Sequence, residues 1–250
     1  MKIRRRLVYD TMGDKTLQKA VALLLLLKNR LGKTSVINNA SQNQIARVAG
    51  VSPSTISRYL PLWQELGFVV WQGKRSDMLV VKRLSSKTDH RNYDVQRLDY
   101  SSFKSLYHSF RDFLFLIVQS HKDYIKRMIR IATNPNWNEN FKAARKTCKR
   151  YAKMYRGDET ETYHEFGLSY KCIAQKLGFC AKTAQNIVSD TIKRRWCRKF
   201  THYSWTILRG VMGMFVNGFT FTTRNYGFVV EANTYEMSHY WHLVLIDGKK

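Results

Sequence analysis

Acidic side chains are scarce in this sequence. Eighteen Asp and Glu stand against 43 Lys and Arg in 250 residues, a formal net charge of +25, and the sequence pI is 10.1. A field of that sign favours a polyanionic partner. Cysteine is also sparse: Cys148, Cys172, Cys180 and Cys197 show neither a CxxC pair nor the density of a disulfide framework. They are expected as reduced thiols of a cytoplasmic protein, with no metal site and no cofactor. Long apolar runs are missing too. The longest, Ala20 to Leu27, lies between Lys19 and Lys28 and falls far below the ~20 residues needed to cross a bilayer. It reads as a buried helix, so no membrane partner is expected. The basic start Met1 to Arg6 is followed by charged residues between Thr11 and Lys19, and no secretion signal is read from it.

What is present is the composition of a folded protein, 44% hydrophobic and 13% aromatic, so the charge is carried on a globule rather than on a basic tail. Residues 1–85 carry 15 basic and 4 acidic side chains, residues 86–165 carry 16 and 10, and residues 166–250 carry 12 and 4. Both ends are strongly basic and the middle is mixed. The organisation expected is a basic N-terminal domain over 1–85, a linker and helical connecting segment over 86–165, and a basic C-terminal domain over 166–250.

Leu17, Val21, Leu24, Leu25 and Leu31 recur at helical spacing, which predicts a helix over Thr16 to Leu31 ended by Gly32. Gly32-Lys33-Thr34 imitates the end of a phosphate-binding loop. Leu27 stands where that loop needs its first glycine, and a helix precedes it instead of a strand, so no nucleotide or other small-molecule ligand is expected.

Ser41 then caps a short helix, Gln42 to Ala49; Gly50-Val51 turns the chain into Ser52-Pro53, a good N-cap followed by a good first helical residue. The next helix has Ile56 and Leu60 inward and Ser54, Thr55, Ser57 and Arg58 outward, with Pro61 kinking or dividing it before Leu66-Gly67. Phe68 to Trp71 and Met78 to Val81 are β-rich runs around Gly73-Lys74-Arg75-Ser76, a hairpin with a basic tip. Helix, helix, turn, helix, hairpin is the order of a winged helix. Ser85 to Asp94 is polar and reads as a linker. Tyr100 to Ile131 is one long helix or two abutting ones, stopped by Asn134-Pro135-Asn136. Glu139 to Arg156 is a second amphipathic helix, whose Lys142, Lys146, Lys149 and Lys153 are candidate phosphate contacts.

A second helix-turn-helix lies 128 residues after the first: Ile45, Ala46, Gly50, Thr55 and Leu60 correspond to Ile173, Ala174, Gly178, Thr183 and Val188. The geometry asks for that spacing, with a small residue where the helices cross, a glycine in the turn and a branched residue pinning the recognition helix. Ser169 caps the first helix of the unit, while Cys180 replaces Ser52 and is a poorer cap. The second recognition helix, Ala181 to Arg195, presents Lys182, Thr183, Gln185, Asn186 and Ser189. Gln and Asn can pair with adenine, Arg58 with guanine, and the hydroxyls of Ser52, Ser54, Thr55 and Ser57 with base edges or phosphates. Lys74, Arg75, Lys193, Arg194 and Arg195 are expected on the DNA backbone, with Arg198 and Lys199 beyond. Phe219 to Thr223, Tyr226 to Val230 and Tyr240 to Ile246 read as strands, with Glu231 to Thr234 a break.

On Ile45-Ala46, Gly50-Val51-Ser52, Thr55-Ile56-Ser57-Arg58 and Leu66-Gly67-Phe68, the segment Ser41 to Phe68 resembles winged-helix regulators and the N-terminal domains of phage and plasmid replication proteins. Ala232-Asn233-Thr234-Tyr235 is similar to the last wing strand of such domains. The resemblance implies a mainly α fold with small β-hairpins (α+β), two winged-helix or helix-turn-helix domains joined by a helical segment, and sequence-specific binding of double-stranded DNA. The task it implies is replication initiation in a phage or plasmid, with transcriptional regulation and non-specific DNA packaging as the alternatives, and a homodimer is compatible with the first two.

Catalysis is not expected. His239 and His242, three apart in a predicted strand, fall on opposite faces and make no metal pair. Asp158, Glu159, Glu161, His164 and Glu165 gather in one loop beside a basic helix and read as solvating it.

Overall fold

A computed structural model describes residues 1–73, 77–87, 91–133, 168–200, 203–207, 226–230, 233–242 and 245. The expected tip Lys74 and Arg75, the helix from Glu139 with Lys142, Lys146, Lys149 and Lys153, the acidic loop from Asp158, and the segment Phe219 to Thr223 lie outside them. The described residues form an α+β fold of eight helices and small antiparallel sheets. None of those helices is long and apolar enough to cross a membrane.

The chain opens with β1 (Lys2–Arg4) and α1 (Arg5–Asp10) and then enters α2 (Lys15–Leu31). The Asp14 carboxylate caps α2, accepting from the Thr16 and Leu17 amides at 2.7 and 3.0 Å. Ala20 to Leu27 are buried without a break, and a helix apolar all round has to be enclosed by other elements. It is: α3 (Gln42–Ala49), α4 (Pro53–Glu65) and α5 (Phe103–Thr133) all pack on α2. The Trp63 indole N–H of α4 donates to the Ala20 carbonyl at 2.9 Å, which satisfies a wholly buried polar group. Pro61 neither divides nor ends α4. Its ring is exposed, so the amide it lacks is missed on the solvent side while Leu60 and Trp63 hold the buried side.

A three-stranded sheet follows in the order β2-β4-β3, with β2 (Val36–Ile37), β3 (Val69–Gln72) and β4 (Met78–Val81) pairing Val69 with Val81, Trp71 with Leu79, and Val36 with Val80. The expected linker Ser85 to Asp94 holds a strand instead: β5 (Asn92–Asp94) pairs antiparallel with β1, Ile3 opposite Tyr93. Its surrounding polar residues hide it in the sequence. Tyr93 is nonetheless buried, edge-on to Phe113 at 5.7 Å.

Helix α5 runs unbroken from Phe103 to Thr133, starting three residues after the expected Tyr100, and packs on α2 and on the second helix pair, α6 (Tyr170–Leu177) and α7 (Ala181–Lys193). The second recognition helix thus ends at Lys193, short of Arg195. After it come β6 (Cys197–Phe200), β7 (Tyr203–Ile207), β8 (Tyr226–Val230), β9 (Thr234–Met237) and α8 (His239–His242). β6 pairs with β9 and β7 with β8. Thr234 opens a strand where a break was expected, and the run from Tyr240 begins as a helical turn, not a strand. Aromatic residues suit any buried surface as well as they suit a pleated one: Trp241 is enclosed by Trp196 at 4.8 Å and Phe113 at 5.5 Å. One continuous hydrophobic core runs from Ile3 through α2 and α5 to Trp241.

Candidate nucleic-acid interface

The duplicated unit is a duplication of geometry. Helices Gln42–Ala49 and Pro53–Glu65 recur as Tyr170–Leu177 and Ala181–Lys193, and strand Val69–Gln72 recurs as Cys197–Phe200, every boundary 128 positions later. Gly50 and Gly178 close α3 and α6 in the left-handed region, φ 59° and 74°, where a side chain would be strained. Val51 N–H donates to Ala46 O as Phe179 N–H donates to Ala174 O. Gly67 and Arg195 are equivalent and both left-handed, φ 69° and 57°. Ala40 N–H reaches Asp77 O at 2.7 Å, and Leu168 N–H reaches Asn233 O at 2.7 Å. β9 is therefore the counterpart of β4. The units diverge between these strands: residues 73–77 join β3 to β4, whereas residues 201–233, including the β7–β8 pair, join β6 to β9.

The local chemistry of α4 and α7 also differs. Ser52 caps α4, its hydroxyl accepting from the Thr55 amide at 3.3 Å and lying 2.9 Å from the hydroxyls of Ser54 and Thr55. Cys180 makes no such bond to the backbone of α7. Its exposed thiol lies 3.2 Å from the Thr183 hydroxyl, and that contact lowers its pKa.

Ser52, Ser54, Ser57 and Arg58 are exposed on α4 and its cap, with Thr55 half-buried. Lys182, Gln185, Asn186 and Ser189 are exposed on α7, again with the Thr at the equivalent position, Thr183, half-buried. On each helix the opposite side is core: Ile56, Tyr59, Leu60 and Trp63 on α4, and Ala184, Ile187, Val188 and Thr191 on α7. Lys182 leans on Gln185 at 3.4 Å and Lys193 on Asp190 at 3.8 Å, both at the surface. Arg195 and Arg198 are exposed and Lys199 is half-buried against the Tyr170 hydroxyl at 3.0 Å.

Arg194 differs from that basic group. Its Nε donates to the Asp112 carboxylate at 3.0 Å, and Asp112 is fully buried on α5. The guanidinium also lies over Trp196. Arg194 is committed inward because a buried carboxylate without a cation beside it is very costly. Burial pushes Asp112 up to about 7 even so, with Arg194 pulling the other way. The signal was in the sequence: Asp112 is the one acid inside the apolar run from Phe110 to Val118.

The two turns are held at opposite ends of α2. Arg30, near its C-terminal end, donates to Val48 O at 3.2 Å, and its guanidinium occupies the space a Cβ on Gly50 would need. Near the N-terminal end, the buried Gln18 amide donates to Leu177 O at 2.9 Å and to Thr11 O at 3.1 Å. A Cβ on Gly178 would run into the Gly13 carbonyl. The twelve positions from Gln18 to Arg30 measure about 18 Å along α2, so the two turns are held at separate points of one helix. Arg30 and Gln18 were not expected from the sequence, because their partners lie far along the chain.

Among the described residues no group of three or more His, Cys, Asp or Glu can hold a metal ion. His239 and His242 share one helical turn. No protein-family model matches this chain, no curated protein is detectably similar to it, and no solved structure matches it.

Proposed function

We propose that this chain is a sequence-specific double-stranded DNA-binding protein with two winged-helix units, acting as a replication initiator of the kind found in phages and plasmids. The observation that carries the reading is the repetition of a helix-turn-helix at a constant offset, each with a core-facing side and a polar, exposed side of Ser, Thr, Gln, Asn, Lys or Arg. Such side chains are the ones that read base edges in the major groove. Two further features support it. The net charge of +25 suits a polyphosphate partner. Both turns are anchored on one helix, α2, by Gln18 and Arg30, so the two units are presented together.

Selection from random duplex DNA at about physiological salt tests the reading, because non-specific phosphate binding is weakened there. The expected result is an enriched motif longer than one helix-turn-helix alone would specify, arranged as direct repeats. A palindrome would instead assign the chain to transcriptional regulation as a dimer. Recovery of no motif would place it among non-specific DNA-binding proteins.

A further inference from the structure

Between the second helix-turn-helix and the rest of the molecule, three cations gather around two aromatic rings. Lys15 Nζ lies 5.4 Å from the centre of the Phe179 ring and Lys19 Nζ 5.8 Å from that of Tyr107. The Arg111 guanidinium is 5.1 Å from Tyr107 and 5.6 Å from Phe179. Lys15 and Lys19 come from α2, Tyr107 and Arg111 from α5, and Phe179 from the turn between α6 and α7.

Among the described residues, no acid is ion-paired with Lys15, Lys19 or Arg111. Asp14, next to Lys15, is engaged in capping α2, and Asp112, next to Arg111, is turned to Arg194 while feeling the Arg111 charge. Arg111 instead meets the ring of His108 at 3.1 Å; burial and the Arg111 charge both depress the His108 pKa, which favours the neutral ring, and a neutral ring does not offset the Arg111 charge. Ring faces attract cations without neutralising them. The seam therefore concentrates positive charge and holds the flexible lysine stems in place.

Its position is fixed relative to a recognition helix. Phe179 immediately precedes Cys180, the N-cap of α7. The backbone contact between Gly178 and Gly13, with the Gln18 bond to Leu177, locks α2 against that turn.

We propose that this seam is a contact for the DNA backbone: Lys15 and Lys19, with Arg111, hold the phosphates of the strand flanking the groove entered by α7. The first unit's own helix thereby completes the binding surface of the second. The proposal rests on the reading that the chain binds duplex DNA. Phosphates are its ligand because Lys15 and Lys19, with no ion pair among the described residues, and Arg111 stand beside the N-terminal end of α7, and phosphate contacts of this kind set register rather than sequence.

The test is fluorescence anisotropy of the full chain with labelled duplex over a salt series. Wild type is compared with Lys15→Gln/Lys19→Gln and with a charge-matched pair of exposed lysines away from the seam, Lys33→Gln/Lys87→Gln. Each lost phosphate contact lowers the slope of log K against log salt by about 0.9, so the seam pair should lower it by nearly 2, equally on every duplex sequence, with an unchanged melting temperature. A slope indistinguishable from that of the charge-matched pair overturns the seam contact while leaving duplex binding intact. Loss of slope only with single-stranded RNA overturns the choice of ligand. Wild type that binds no duplex overturns both the seam and the reading on which it rests.

Discussion

Arg194 Nε and Asp112 Oδ2 meet at 3.0 Å across the junction of α5 and the C-terminal end of α7, and Asp112 has no exposed surface at all. The other carboxylate oxygen, Oδ1, is buried without a hydrogen bond. The pair ties the second recognition helix to the long helix that also packs on α2, so it acts on the relative placement of the two units.

Its titration sets a pH dependence. The folded-state pKa of Asp112 is raised from 3.8 to about 7, chiefly by burial. A group whose folded pKa lies above its unfolded value stabilises the fold fully below the unfolded pKa, and that contribution is lost as pH rises through the folded one. Stability from this group should therefore fall between about pH 4 and pH 7. Urea melts across that window, comparing wild type with Asp112→Asn, should show a smaller decline in the variant. Asp112→Ala should be worse than Asn at every pH, because it leaves a cavity and an unpartnered Arg194.

Gly50 and Gly178 hold the same backbone conformation, yet alanine should cost different amounts at the two. At Gly50 a Cβ meets only the tip of Arg30, which can swing away. The left-handed φ alone then sets the cost, about 1 kcal/mol. At Gly178 the Cβ meets the Gly13 backbone, so the turn must move from α2 and the Gln18 bond to Leu177 must stretch. Gly178→Ala should cost at least twice as much in chemical denaturation. Equal losses would mean that the approach to Gly13 does not hold the second turn against α2.

Base reading is tested on the recognition helices themselves. Arg58→Ala on α4 and Gln185→Ala or Asn186→Ala on α7 remove exposed side chains and should leave the melting temperature unchanged. Each should lower affinity for the selected duplex by about 1–3 kcal/mol and relax specificity at one position. A loss confined to Arg58 would make α7 a packing element.

How legible all this was in the sequence depended on the range of the contacts. The helix pairs were readable because their determinants are local: Ser41, Ser52 and Ser169 as caps, Gly50 and Gly178 as turns, and buried residues at helical spacing. Strands β1 and β5 were missed because Ile3 and Tyr93 are each other's context across the first third of the chain. The pairing of β6 with β9 was unreadable for the same reason, with residues 201–233 between them. Arg194 looked like its exposed neighbours, since a run of basic residues does not say which one faces a buried acid on another helix. Lys15, Lys19 and Arg111 come from two helices distant in sequence, and no motif joins them.

Arg195 carries the last prediction. It occupies the position that Gly67 fills in the first unit, with φ 57° against 69°. A side chain in that region is strained by about 1 kcal/mol or more, and glycine adopts it freely at a smaller entropic cost in the unfolded chain. Arg195→Gly should therefore raise stability by about 0.5–1 kcal/mol, a rise of about 1–4 °C in Tm for a chain of this size. If the exposed guanidinium contacts a phosphate, the same variant should bind duplex more weakly, with a salt slope lower by about 0.9. Stability and affinity would then move in opposite directions from one substitution, as expected where a residue is kept at a strained position for what it binds. Greater stability with unchanged DNA affinity would remove Arg195 from the interface and leave Lys193 and Arg198 as the backbone contacts after α7.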